Sequence, residues 1–199
     1  MPIRPGTANE ATRESGDWIF IDVGFANQSK TCGVLIGEGQ PTNCTFSALK
    51  QKLSEICTKD QGSLNLVLEA PLSVAFGSSG NPTSRSIEKR NGKTRYWYVG
   101  LGCSVLVATT YLLRFIYDQE PTRNIRLFEG FVSFKRSKAT SSHSDDVEIL
   151  RTIAWHQDPK LGRIIGPNEL PTKAGDRVES AFLVSGMDFG VPAIIMAES

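Results

Sequence analysis

The chain has 199 residues, 40% of them apolar and 22% charged, which suits one globular domain and excludes a disordered or fibrous chain. Its 22 Lys and Arg against 21 Asp and Glu leave a formal charge of +1, which rules out a generally cationic nucleic-acid coat but not a local basic patch. Cys32, Cys44, Cys57 and Cys103 lie far apart without C-x-x-C spacing, and two His hardly complete a zinc site. They read as reduced, mostly buried thiols of a cytoplasmic protein.

Residues 1–17 are polar and lack the apolar core of a signal peptide. They are expected to form a flexible tail, with residues 18–199 as a single domain. Residues 18–24, apolar on both faces, predict a central strand, and 31–36 a second one forming a hairpin with it. A short third strand is expected over 42–46. Phe46, Leu49, Leu53 and Ile56, spaced three, four and three apart, predict a helix over 46–57. Residues 64–70 read as a strongly apolar strand. The pattern breaks over 73–97, where Gly77-Ser-Ser-Gly-Asn-Pro82 is turn chemistry. A long apolar helix is expected over about 98–117, a strand over 125–134 and a helix over 142–155. Residues 156–177, with recurring Pro and Gly, suggest an ordered loop, and 180–197 carry no assignment.

The stretch 96–113 has no charge, but its 18 residues are the lower edge of a spanning length and include Gly, Ser and Thr. It reads as a buried helix packed on a sheet, with no membrane partner. The order of hairpin, third strand, helix, strand, helix, strand and helix implies an α/β fold. It has one mixed sheet, antiparallel hairpin plus parallel strands, with helices on both faces.

Three acids occupy settings that disfavour charge. Asp22 lies inside the first apolar strand, and Glu69 ends the strand before Pro71. A buried carboxylate needs hydrogen bonds, a cation or a functional reason, so capping a loop or pairing with Arg is open for each. At about 100° per residue, Asp146 falls on the arc of Val147, Leu150, Ile153 and Ala154 that faces the sheet, with His143 also within it. Asp145 falls outside, and Ser142 with Asp145 matches the S-x-x-D capping box. An Arg or Lys from the sheet is the alternative partner for Asp146. Converging carboxylates repel one another unless a divalent cation neutralises them, and oxygen-only ligands favour Mg²⁺ or Mn²⁺.

Together, Ile-Phe-Ile-Asp22-Val-Gly, Leu-Val-Leu-Glu69-Ala-Pro and the late opening His143-Ser-Asp-Asp146 resemble the ribonuclease H-like superfamily. The H-x-x-D opening is similar to that of RuvC-type resolvases. Glu-Ala-Pro-Leu, the following loop with Arg, and Phe-Glu129-Gly are similar to predicted nucleases with a ribonuclease H fold. The resemblance covers about residues 18–155. It implies adjacent first and fourth strands, with Asp22, Glu69 and Asp146 as catalytic metal ligands for two ions and His143 or Asp145 assisting. The chain departs from the resolvase pattern in the residues after the late acid, Val147-Glu148-Ile149, where small residues usually stand. Residues 156–199 match nothing in the pattern. Glu129 is either a further ligand or a partner for Arg126 or Arg123, the partner being preferred.

Arg85, Lys89, Arg90, Lys93 and Arg95 are opposed only by Glu88, and Tyr96, Trp97 and Tyr98 follow. Basic groups of this kind contact phosphates, and Trp97 can stack on a base. A solvated loop with its aromatics in the core is the competing reading. Lys135, Arg136 and Lys138 form a second patch, open to either account. No phosphate-binding G-x-x-x-x-G-K-[ST] loop occurs. The expected function is a metal-dependent nuclease hydrolysing phosphodiester bonds of DNA or RNA. The alternatives are a catalytically inactive binding or scaffold module of the same fold and, third, an actin or sugar-kinase-like lobe suggested by Asp22-Val-Gly24. That last group needs two lobes, and this length supplies one.

Overall fold

The computed structural model of the chain describes residues 3–24, 31–59, 62–90, 92–94, 101–132 and 142–198. The first strand, β1 (Ile3–Pro5), lies in the segment expected to be a flexible tail. Two 3-10 turns, Ala8–Glu10 and Arg13–Ser15, lead into β2 (Asp17–Asp22). The hairpin partner β3 (Cys32–Ile36), then β4 (Thr42–Cys44), α1 (Phe46–Cys57) and β5 (Ser63–Glu69) follow as the pattern predicts. Thr45 caps α1 by accepting the Ala48 N–H on its side chain, which explains why that helix starts at Phe46.

The irregular stretch contains β6 (Ser73–Phe76), β7 (Pro82–Thr83) and the small hairpin β8 (Lys89–Arg90) and β9 (Lys93–Thr94). The long helix α2 (Leu101–Tyr117), β10 (Asn124–Phe131) and α3 (His143–His156) come next. Among the described residues no helix is long and apolar enough to cross a membrane. The last part of the chain adds β11 (Gly162–Ile165), β12 (Arg177–Ser180) and β13 (Ile194–Ala197).

The main sheet is mixed, in the order β11-β13-β10-β5-β2-β3-β4. Strands β2, β5, β10 and β13 run parallel, while β3, β4 and β11 are antiparallel to their neighbours. Alternation along each strand sorts the side chains to two faces. Ile19, Ile21, Leu64, Leu66, Leu68, Ile125 and Leu127 pack with Leu49, Leu53, Leu112 and Leu113 of α1 and α2. Trp18, Phe20, Val67 and Phe128 pack with Val147, Leu150 and Ile153 of α3 on the other face. Each fully buried Leu, Ile or Phe contributes about 1.5–3 kcal/mol, so both layers are needed to hold one sheet.

The tail expectation is corrected here. Ile3 is buried, and β1 pairs with residues 125–127 of β10 while β13 pairs with 129–131, so the two strands share one edge of β10 end to end. A polar composition concealed this because, among the described residues of the segment, only Ile3 and Ala11 are buried apolar residues. Hydrogen bonds do the rest: Trp18 Nε1 donates to the Thr12 carbonyl at 3.1 Å, and Arg4 pairs with Glu10.

Candidate functional site

On β2 the face towards α3 carries Trp18, Phe20 and, as the next position, Asp22. On β5 the same face carries Asn65, Val67 and then Glu69. The parallel register sets Asp22 directly opposite Glu69, at the carboxyl ends of two central strands. Ligands of open α/β sheets characteristically bind outside those ends.

The third acid arrives on α3. Ser142 caps the helix by accepting the Asp145 N–H on its side chain at 3.3 Å, and Asp145 Oδ2 accepts the Ser142 N–H at 2.8 Å. This capping box fixes the helix start, and Asp146 then lies in the first turn on the buried face with Val147 and Leu150. Ligand oxygens of Asp22, Glu69 and Asp146 all lie within 4.8 Å of one another. Asp22 and Asp146 are buried and Glu69 is half-buried. The helix N-terminus carries partial positive charge, which favours acids there. The three carboxylates thus form a buried acidic group able to hold a metal ion.

His143 joins the site through Nδ1, 2.6 Å from Asp22 Oδ2. Its side chain is 44% exposed, so the ring bridges the buried carboxylate and solvent. The close seating of α3 depends on Gly33, the register partner of Asp22 on β3. A Cβ at Gly33 would stand 2.2 Å from the His143 carbonyl oxygen, so the helix start approaches the hairpin only because that side chain is missing.

Two expected site residues are placed elsewhere. Asp145, taken as an assisting ligand, is exposed, engaged in the capping box and outside the acidic group. Arg85, expected to contact phosphates, is fully buried. Its Nη1 donates to both oxygens of Glu129, at 2.8 and 2.9 Å, and to Ser73 Oγ at 2.8 Å. Its Nη2 lies 3.2 Å from Glu88 Oε1. Burial works against the Arg85 charge, but Glu129 and Glu88 outweigh it and hold its pKa above the ordinary value. Glu129 therefore does have an Arg partner, but Arg85 rather than Arg123 or Arg126. Burial pushes the Glu129 carboxyl up, opposed by Arg85 and by the Leu72 N–H.

Glu129 is separated from the acidic group by strand alternation. It is the register partner of Leu68, which faces α1 and α2, whereas Glu69 faces α3. The signal for the Arg85 pairing was a lone acid in an apolar strand, which demands a cation; its partner 44 residues away in the chain had no local mark. Lys89 is exposed at the start of the β8–β9 hairpin, where Lys89 pairs with Thr94 and Arg90 with Lys93 through the backbone. Arg95, Trp97, Lys135, Arg136 and Lys138 lie outside the described residues, as do the side chains of Arg90 and Lys93.

No family model, curated protein or solved structure matches the chain.

Proposed function

We propose that the chain is a metal-dependent nuclease of ribonuclease H-like fold that hydrolyses phosphodiester bonds in nucleic acid. The observation carrying this reading is the convergence of Asp22, Glu69 and Asp146, from two adjacent parallel strands and a helix start, to within 4.8 Å. The donor set is oxygen only, which fits a hard cation, Mg²⁺ or Mn²⁺. A bound cation would offset the repulsion among the three carboxylates. The adjacency of β2 and β5, which the resemblance implies, supports the family reading further.

A pair of such ions supplies activation of water and stabilisation of the leaving oxygen. Asp22, Glu69 and Asp146 are the groups that would hold them. Asp22 also orients His143: with Nδ1–H donating to Asp22, Nε2 is the ring nitrogen that can accept a proton. The exposure of that ring suits a proton acceptor at the substrate side. Lys89, Arg90, Lys93 and Arg95, with Trp97, remain the proposed contacts for the nucleic acid; Arg85 does not, because its charge is consumed inside the protein. The four free thiols suit a reducing compartment, and the cytoplasm is the proposed location.

Calorimetric titration with Mn²⁺, paired with cleavage assays on labelled single- and double-stranded DNA and RNA, tests this. Wild type should bind Mn²⁺ and cleave at least one substrate only in its presence. Asp22→Asn and Asp146→Asn should each weaken binding tenfold or more, about 1.4 kcal/mol, and abolish cleavage while the fold survives. Equal affinity in wild type and variants would remove the metal centre, and Mn²⁺ binding without cleavage of any substrate would remove the nuclease.

A further inference from the structure

We infer that Arg85 and Glu129 form a buried clamp that positions Glu69, acting as positioning residues from the opposite face of the sheet. The inference rests on reading Asp22, Glu69 and Asp146 as a metal centre. Glu69 is the last residue of β5, so its placement follows the backbone where the strand ends. That backbone is held on both sides by strand pairing, with β2 at Asp22 and with β10 through Leu68 and Glu129.

The chain leaves β5 immediately after Glu69. The Ala70 N–H donates to the Leu68 carbonyl at 2.8 Å, which turns the backbone at once. Pro71 follows, fixing its own φ and restricting Ala70 before it. The next two residues are gripped by the buried cluster: Glu129 Oε2 accepts the Leu72 N–H at 2.8 Å, and Arg85 Nη1 donates to Ser73 Oγ at 2.8 Å. Only Ala70 and Pro71 separate Glu69 from the clamp, and both are stiff. Displacement of Leu72 is therefore transmitted to Glu69 with little slack.

Stability alone does not account for the cluster. Arg85, Glu88, Glu129 and Ser73 are all fully buried, and a buried ion pair is often matched or bettered by apolar side chains of similar volume. What an apolar pair cannot supply is a directed acceptor for the Leu72 N–H and a directed donor for Ser73. Groups hydrogen-bonded directly to metal ligands are typically worth about ten- to a hundredfold in metal affinity, and a clamp acting through the backbone belongs at the lower end of that range.

The test is Mn²⁺ affinity by calorimetry, alongside thermal melts, near-UV circular dichroism and amide exchange at residues 69–73. The double variant Arg85→Met/Glu129→Leu keeps volume and removes the clamp. It should melt below wild type, because the buried Leu72 N–H, Ser73 and Glu88 lose their Glu129 and Arg85 partners, yet where it is folded bind Mn²⁺ at least tenfold more weakly, with faster exchange of the Leu72 amide. Arg85→Lys keeps a cation against Glu129 but cannot also hold Ser73 and Glu88; it should lose about threefold and decides the matter if the double variant does not fold. Wild-type affinity in a folded clamp variant overturns the clamp and leaves the metal centre standing. Absence of Mn²⁺ binding in wild type overturns the metal centre and the clamp together, even if the Leu72 amide exchanges as expected.

Discussion

Asp22 is the residue on which the site turns, because it serves two neighbours at once. Its carboxylate stands opposite Glu69 in register and accepts from His143 at 2.6 Å, so losing it removes a ligand and frees the imidazole together. The cysteines show the same dependence on surroundings with the opposite chemical result. Burial pushes the Cys57 thiol up to about 12 and the Cys32 thiol up to about 11, while Cys103 is exposed. The thiolate is the reactive form, so Cys32 and Cys57 are inert at neutral pH, and Cys44 is buried as well. Iodoacetamide at pH 7.5 should therefore modify Cys103 alone in the native protein, with Cys32, Cys44 and Cys57 reacting only after denaturation. Rapid native labelling of Cys32 or Cys57, located by peptide mass, would contradict the packing around β3 and α1.

The elements that matter for the site are α3 and the hairpin it sits on. Val147, Leu150 and Ile153 dock the helix on Trp18, Phe20 and Val67, and the capping box sets where its first turn begins. Gly33 sets how near that first turn comes, since a Cβ there meets the backbone of His143, which cannot swing aside. Gly33→Ala should cost about 1–3 kcal/mol in stability through this overpacking. It should also weaken Mn²⁺ binding more than an equally destabilising change far from the site, because Asp146 and His143 ride on the displaced helix start. Denaturant melts and Mn²⁺ titration on Gly33→Ala and on Leu53→Ala, in the α1 layer, give the comparison. Equal Mn²⁺ affinity in both would show that α3 is seated without help from Gly33.

At the scale of the whole molecule, the sheet is closed by segments from both ends of the described chain. Strands β1 and β13 meet on one edge of β10, and the Ala193 N–H donates to the Gly6 carbonyl where they join. The N-terminal segment is held there by electrostatics as well as by Ile3. The Arg4 guanidinium beside Glu10 keeps the Glu10 carboxyl down at about 2, against an ordinary value of 4.5. Because the folded value lies below the unfolded one, the stabilisation is complete above about pH 4.5 and is lost as pH falls towards 2. Thermal melts of wild type and Glu10→Gln should accordingly differ at pH 7 and converge by pH 2. A difference that persists at pH 2 would assign the role of Glu10 to packing.

Much of this molecule was readable one segment at a time. The apolar spacing of Phe46, Leu49, Leu53 and Ile56 sets α1, the Ser142 and Asp145 pair sets the start of α3, and the helical arc already turns Asp146 towards the sheet. These features depend on neighbours within a turn or two, so the chain itself carries them. The meeting of Asp22 with Glu69, the approach of His143 over Gly33, the capture of Arg85 by Glu129 and the sharing of β10 by β1 and β13 were settled only by the tertiary structure. Each joins residues far apart in the chain, and strand register and helix seating are decided by the packing of whole layers, which leaves no periodic trace in either partner.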